Sequence, residues 1–158
     1  MTTDTKGSRS VAVGYSALAI QNFTTSQNAN NVAVGYEAGG RVTTGLENTL
    51  VGSLAGTNLT DADFNVVVGR AALDADTLGS RSTAIGYFAL SAQNFTTATN
   101  SNNTAVGYLA GSQITTGTQN TLVGVAAGDA LTDADHNIAI GYGALSSDTL
   151  GSRSVAIG

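Results

Sequence analysis

The sequence predicts an all-β protein, a parallel β-solenoid (β-roll) of about nine coils with 17–21 residues each. A Val or Ile followed directly by Gly recurs nine times, at spacings of 21, 17, 17 and 17 residues that are then repeated. Residues 14–85 and 86–157 share 46 identities in 72 positions. Units this short cannot fold alone, so successive coils must bury their apolar sides on each other. The recurring glycines are Gly14, Gly35, Gly52, Gly69, Gly86, Gly107, Gly124, Gly141 and Gly158.

The short apolar run before each glycine is predicted to be a β-strand that ends in a turn at the glycine. The run has about four residues and is flanked by Asn, Ser, Thr and Gly, which favour turns over a helix. β-branched residues fit a pleated sheet. The residue directly before the glycine is therefore predicted to form the core of each repeat: Val13, Val34, Val51, Val68, Ile85, Val106, Val123, Ile140 and Ile157.

Three further positions recur relative to the glycine. The residue two before it is alanine in six coils, and it is predicted to point away from the Val/Ile core as a flat outer strip against which another chain packs. The residue four before it is always Asn or Ser, which predicts a hydrogen-bonded ladder through the stack. A weaker apolar position predicts a second strand in each coil, at Phe23, Val42, Leu59, Leu78, Phe95, Ile114, Leu131 and Leu150.

Residues 1–158 are predicted to form a single repeat domain. It contains two 72-residue repeats, 4–75 and 76–147, and a closing partial repeat, 148–158. The segment DTKGSRS at 4–10 returns as DTLGSRS at 76–82 and 148–154, so the repeats follow each other without a linker.

The composition excludes several classes of function. The net charge is −5 with only 11% charged residues, which argues against nucleic acid and anionic membranes as partners. No apolar stretch approaches 18 residues, so no membrane insertion is expected. The absence of cysteine excludes disulfides and cysteine metal sites. The first residues lack the apolar core of a secretory signal.

Four segments carry a family resemblance: NNVAVGYEAG (30–39), NNTAVGYLAG (102–111), SRSVAVGYSAL (8–18) and SRSVAIG (152–158). They resemble the head repeats of YadA-like trimeric autotransporter adhesins and the NTAxGYxAG arrays of phage tail fibres, over residues 7–158. The resemblance implies a homotrimer of left-handed β-rolls in which small residues face the threefold axis. The coils here are longer than those of the adhesin heads, so additional loops are expected to protrude.

Tyrosine follows the glycine in five coils and forms the candidate ligand-facing column. Exposed rings at these positions could stack on sugars of a host-surface glycan, but packing between coils is the preferred interpretation. The polar loops at 21–31 and 93–103 are the other candidates for recognition, and Phe23 and Phe95 are expected to staple them to the roll. The tyrosines are Tyr15, Tyr36, Tyr87, Tyr108 and Tyr142.

Metal binding and catalysis have little support in the sequence. Two segments begin with the Asp-x-Asp-x-Asn spacing of a calcium-binding loop, at Asp61 and Asp63 and again at Asp133 and Asp135. The glycine and the distal glutamate of such a loop are missing, which favours Asx turns. No cofactor is therefore predicted. The single histidine, His136, is replaced by phenylalanine in the other repeat, so the chain is predicted not to be an enzyme. Arg9, Arg81 and Arg153 are expected to form surface ion pairs with Asp4, Asp76 and Asp148.

The predicted function is that of a structural and adhesive fibre module, a rigid trimeric β-roll segment of a phage tail fibre or surface adhesin that displays loops for attachment to a host. The expected partners are two further copies of the chain, with end-to-end stacking as an additional contact, and a host-surface glycan or protein. The expected location is the virion tail or the extracellular cell surface, and the missing secretory signal favours the virion. Alternatives are a self-assembling filament or virion subunit, an ice-binding solenoid and a glycan-processing fibre enzyme.

Overall fold

The computed structural model describes residues 4–158, and the regular secondary structure within them is entirely β-strand. Nine strands have three residues, and each of these ends directly before one of the recurring glycines. Four further strands have two residues. In chain order the strands are β1 (Gly7–Ser8), β2 (Val11–Val13), β3 (Gln27–Asn28), β4 (Val32–Val34), β5 (Thr49–Val51), β6 (Val66–Val68), β7 (Gly79–Ser80), β8 (Thr83–Ile85), β9 (Thr99–Asn100), β10 (Thr104–Val106), β11 (Thr121–Val123), β12 (Ile138–Ile140) and β13 (Val155–Ile157).

The nine three-residue strands form one parallel sheet in the order β2-β4-β5-β6-β8-β10-β11-β12-β13. Equivalent residues of successive coils lie side by side: Val13 pairs with Val34, and Ile85 with Val106. The register is the same across the 17-residue and the 21-residue coils. The prediction of an all-β parallel solenoid of about nine turns is therefore confirmed.

The second strand predicted in each coil is wrong as a general rule. Among residues 4–158, the further strands occur only beside the 21-residue coils, as the parallel pairs β1–β3 and β7–β9. Elsewhere the second apolar position lies outside the strands. The residues at this position include Val42, Leu59, Ile114 and Leu131, all fully buried. These residues are therefore apolar because they lie in the interior of the solenoid, and not because they form a strand.

The side of each strand that faces the interior is the opposite of the side predicted. Ala33, Ala84 and Ala105 are fully buried inside the solenoid, whereas Val13 and Ile85 before the glycines are 55% and 36% exposed. The whole set predicted as repeat core therefore points outward, and the alanines line the interior. The reason is space, because bulky side chains after the glycine fill the inside of the coil and leave room for little more than a methyl group. These bulky residues include Leu18, Leu73 and Leu90, all fully buried.

Leucine replaces alanine inside the strand only where the facing residues are glycines. Leu50 lies between Gly39 and Gly56, and Leu122 lies between Gly111 and Gly128. A Cβ atom at Gly111 would lie 2.7 Å from Leu122 Cδ1, so both positions cannot carry a side chain. Large and small residues thus alternate between facing positions to keep the interior close-packed.

The predicted Asn/Ser ladder is present and buried. The Oδ1 atom of Asn48 accepts hydrogen bonds from the backbone N–H and the side-chain amide of Asn65, at 3.0 and 3.1 Å. The Asn48 side chain donates in turn to the Ala62 carbonyl at 2.7 Å. The ladder satisfies polar groups inside the stack and links each coil to the next.

Candidate functional site: the outer strip and the tyrosine column

The outward face of the nine-stranded sheet forms a continuous surface that we call the outer strip. Strand residues alternate between two sides, so the first and third residue of each three-residue strand point outward. All 18 of these residues are Val, Ile or Thr. The strip consists of Val11, Val13, Val32, Val34, Thr49, Val51, Val66, Val68, Thr83, Ile85, Thr104, Val106, Thr121, Val123, Ile138, Ile140, Val155 and Ile157.

The outer strip is long, narrow and uncharged. Eight intervals of about 4.8 Å between neighbouring strands give it a length of about 38 Å, and it is two side chains wide. Among the most exposed residues of the outer strip, the exposed fraction ranges from 36% at Val68 to 73% at Ile157. A contiguous apolar surface of this extent is typical of an interaction site.

Beside the outer strip, the residues that follow the glycines form a column of side chains. Tyr15 and Tyr36 are stacked with ring centroids 5.5 Å apart, and Tyr87 and Tyr108 are stacked at 5.4 Å. Four of the five predicted tyrosines are thus brought together in two pairs, with 41–72% of each side chain exposed. Tyr142 is 84% exposed and stacks on none of the described rings.

Arg70 occupies the column position in the coil before Tyr87 and extends the second tyrosine pair. Its guanidinium lies 5.7 Å from the Tyr87 ring centroid and 5.8 Å from that of Phe88. Tyr87 and Phe88 meet edge to face at 4.5 Å. The column therefore combines packing between coils with exposed aromatic surface.

The aspartates of the suspected calcium loop bind protein groups. Asp61 accepts a hydrogen bond from the Thr44 hydroxyl at 2.6 Å, and Asp63 accepts one from the Leu46 backbone N–H at 2.7 Å. Burial raises the pKa of the Asp63 carboxyl, and the hydrogen bond from Leu46 opposes the shift. Asp133 and Asp135 make the equivalent bonds to Thr116 and Thr118. Residues 4–158 contain no cluster of three or more His, Cys, Asp or Glu side chains suited to a metal ion.

A buried carboxylate lies where a surface ion pair was predicted. Asp76 is fully buried and accepts hydrogen bonds from the Gln93 side chain at 2.6 Å and from the Phe95 and Gly79 backbone N–H groups at 3.0 and 3.1 Å. Arg81 lies elsewhere, over the Phe64 ring at 5.8 Å. The prediction of an ion pair between Asp76 and Arg81 is therefore wrong.

Burial raises the pKa of the Asp76 carboxyl, although its hydrogen bonds act in the opposite direction. At the equivalent Asp4, burial also raises the pKa, but the hydrogen bonds from Gln21, Gly7 and Lys6 outweigh it and leave the pKa below its usual value. The two repeats therefore hold the same aspartate in different electrostatic states, because the second repeat is covered by coils on both sides.

The long loops are held as expected. Phe23 and Phe95 are each only 6% exposed, and each ring lies against a glycine, Gly7 or Gly79, at which a Cβ atom would collide with it. Both phenylalanines thus anchor the loops to the roll. The loop tips at residues 24–26 and 96–98 are exposed.

His136 is exposed, and its backbone N–H donates to the Thr118 carbonyl oxygen at 3.0 Å. The described residues include no helix that is long and apolar enough to cross a bilayer. Comparison of the chain with family models, curated proteins and solved structures finds no match.

Proposed function

We propose that the chain is a structural and adhesive module: a rigid β-solenoid segment of a phage tail fibre or surface adhesin that associates with two further copies through the outer strip. The observation that carries this proposal is the outer strip itself, with 18 outward residues that are all β-branched and uncharged. Side chains of this type gain free energy when a partner removes them from water, at about 25 cal/mol per Å² of apolar area.

The repeat favours a second copy of the chain as the partner. Each coil presents the same pair of outward positions at the same register, so identical strips match along their whole length when the copies lie in parallel. The strip is two side chains wide, which suits several chains that meet along a common axis. Three copies are proposed because the repeats resemble those of trimeric adhesins and fibres.

Rigidity and repetition supply the mechanism of such a module. Glycine, the Asn ladder and the interior leucines hold every coil to its neighbours, so the loops and the tyrosine column stay at fixed spacing along the shaft. Three copies would multiply each weak contact with a host surface, because the second and third contacts form at high effective concentration.

The oligomeric state tests the proposal. Light scattering at several protein concentrations should give a species near three times 15.7 kDa. The double variant Val68→Lys/Val106→Lys places charges in the middle of the strip and should give a folded monomer. Ala98→Lys in an exposed loop tip is the matched control and should remain trimeric. A wild-type protein that stays monomeric over this range would contradict the proposal, and species that keep growing with concentration would indicate a filament.

A further inference from the structure

A small polar cleft opens on the first repeat, next to the tyrosine column. It has a volume of about 260 Å³ and is formed by residues from the coils that begin at Gly14, Gly35 and Gly52. Its lining residues are Ser16, Ala19, Glu37, Gly40, Arg41 and Thr57. Ligand sites for drug-sized molecules usually measure about 300–1,000 Å³, so this cleft suits a ligand of about one ring.

The cleft brings hydrogen-bonding groups of both kinds together. Glu37 supplies a carboxylate that only accepts, Arg41 a guanidinium that only donates, and Ser16 and Thr57 hydroxyls that do both. Glu37 and Arg41 thus place one carboxylate and one guanidinium on the same cleft.

The backbone holds these groups in place. Glu37 N–H donates to the Tyr15 carbonyl at 2.8 Å, and Arg41 N–H donates to the Thr57 carbonyl at 3.0 Å. The Glu37 side chain also hydrogen-bonds to Tyr36, which raises the pKa of that tyrosine hydroxyl. Glu37 thus connects the cleft to the stacked pair of Tyr15 and Tyr36.

The second repeat provides an internal comparison. All six lining positions differ there, although 46 of 72 positions are identical overall: Phe88, Ser91, Leu109, Ser112, Gln113 and Asp129. The fold is the same in both repeats, so it does not require the charged pair or the glycine. At Gly40 a Cβ atom would lie 3.3 Å from the Glu37 carbonyl oxygen and 3.5 Å from that of Ser16, so a side chain there would be crowded.

We propose that this cleft binds one neutral, hydroxyl-rich sugar unit, with Glu37 and Arg41 as the main hydrogen-bonding residues. The two opposite charges leave the lining without a net charge, which favours a neutral polyol over an ion. Neighbouring hydroxyls of a sugar ring both donate and accept, and so match a carboxylate beside a guanidinium. The inference deepens the proposed function, since it names the ligand class of an attachment module.

Saturation-transfer NMR of the intact protein with methyl glycosides of glucose, galactose and N-acetylglucosamine tests the inference. At least one of these neutral sugars should receive saturation. Glu37→Leu and Arg41→Gln, which introduce the residues of the second repeat, should each weaken binding about tenfold, because a hydrogen bond to a charged group is lost. Gly40→Ser should also weaken it by narrowing the cleft. Gln113→Ala, at the position of the second repeat equivalent to Arg41, is the control and should bind as the wild type does.

Absence of transfer to all three neutral sugars would overturn the inference. Transfer that persists in both Glu37→Leu and Arg41→Gln would place the sugar elsewhere and would also overturn it, as would binding of glucuronate or glucosamine alone. Light scattering on the same samples separates this result from the proposed function. A trimer that binds no neutral sugar refutes only the sugar site, and a monomer that binds one refutes only the fibre.

Discussion

Leu50 occupies the space that the absent side chain of Gly39 leaves inside the solenoid. A Cβ atom on Gly39 would lie 2.5 Å from Leu50 Cδ1, and one on Gly56 would lie 2.9 Å from Leu50 Cδ2. The two glycines and the leucine therefore form one packing unit that spans two successive coils. Since Leu122 repeats this arrangement 72 residues later, the interior has the period of the sequence.

Removal of this leucine is expected to destabilise the array. Leu50→Ala leaves a cavity between two glycines that cannot fill it, so the free energy of unfolding should fall by about 2–5 kcal/mol. Urea denaturation at fixed protein concentration measures the change. Leu150→Ala, at a side chain that is 67% exposed, is the control and should shift the midpoint little. Equal effects of the two substitutions would contradict the interior packing described for Leu50.

The glycines that end the strands are expected to tolerate no side chain. Gly52 has φ +135°, where L-residues are rarely found, and a Cβ atom there would lie 2.5 Å from the Gly69 carbonyl oxygen. Gly52→Ala should therefore cost more than about 3 kcal/mol. Gly143 has φ +63°, and a Cβ atom there would make only an ordinary contact, 3.6 Å from Ser146 Oγ, so Gly143→Ala should cost only about 1–2 kcal/mol. Thermal unfolding followed by circular dichroism should rank the two variants in this order.

Stability is expected to depend on pH through Asp76. Because burial raises the pKa of this carboxyl in the folded state, the folded protein holds the proton to a higher pH than the unfolded chain, whose value is near 3.8. The resulting stabilisation is complete below that value and is lost as the pH rises through the folded-state pKa. Burial also raises the pKa values of Asp63 and Asp74, so these groups change the stability with pH in the same direction. Hydrogen bonds lower the pKa of Asp4, which changes the stability in the opposite direction.

Asp76→Asn should therefore reduce the loss of stability with rising pH, since an amide cannot ionise. The melting temperatures at about pH 4.5 and 7.5 should differ less in this variant than in the wild type. Asp133→Asn, at an exposed carboxylate, should keep the wild-type difference. An unchanged pH dependence in Asp76→Asn would show that Asp76 is not the group responsible.

Removal of the Gln93 side chain is expected to destabilise the fold. It is fully buried, donates to Asp76 at 2.6 Å and to Ser82 at 2.9 Å, and accepts from Asn103 at 2.8 Å. Gln93→Ala leaves these groups short of partners, at about 1–3 kcal/mol for each unsatisfied buried group. Gln119→Ala, at an exposed side chain, is the matched control for the denaturation experiment.

The architecture could be predicted from the glycine period alone, because a constant spacing of Val-Gly or Ile-Gly requires coils that lie in register. The side of each strand that faces the interior could not be predicted from this period. Alternation shows that Ala33 and Val34 point to opposite sides, but it does not say which side is inside. The deciding signal was the residue four after each glycine, which is leucine in four coils (Leu18, Leu73, Leu90 and Leu145) and glycine in the other four. The importance of this position becomes clear only once the coil is closed.

The polar sites were harder to predict for a related reason. Asp76 and Gln93 lie 17 residues apart in sequence and meet only because successive coils stack. The cleft of Glu37 and Arg41 draws its lining from three coils. The distance between such residues along the chain follows the coil length, so their contacts follow from the register and from no local motif.

The 21-residue coils add four residues to the 17-residue pattern and yet leave the strand register unchanged, with Val13 beside Val34 and Ile85 beside Val106. The corner that absorbs the extra length is anchored by Phe23 or Phe95 and is exposed at its tip. Length at this corner is thus independent of the geometry of the shaft. The corner is a permissive site at which a foreign peptide could be grafted, and new binding specificities could evolve there without a change in the scaffold.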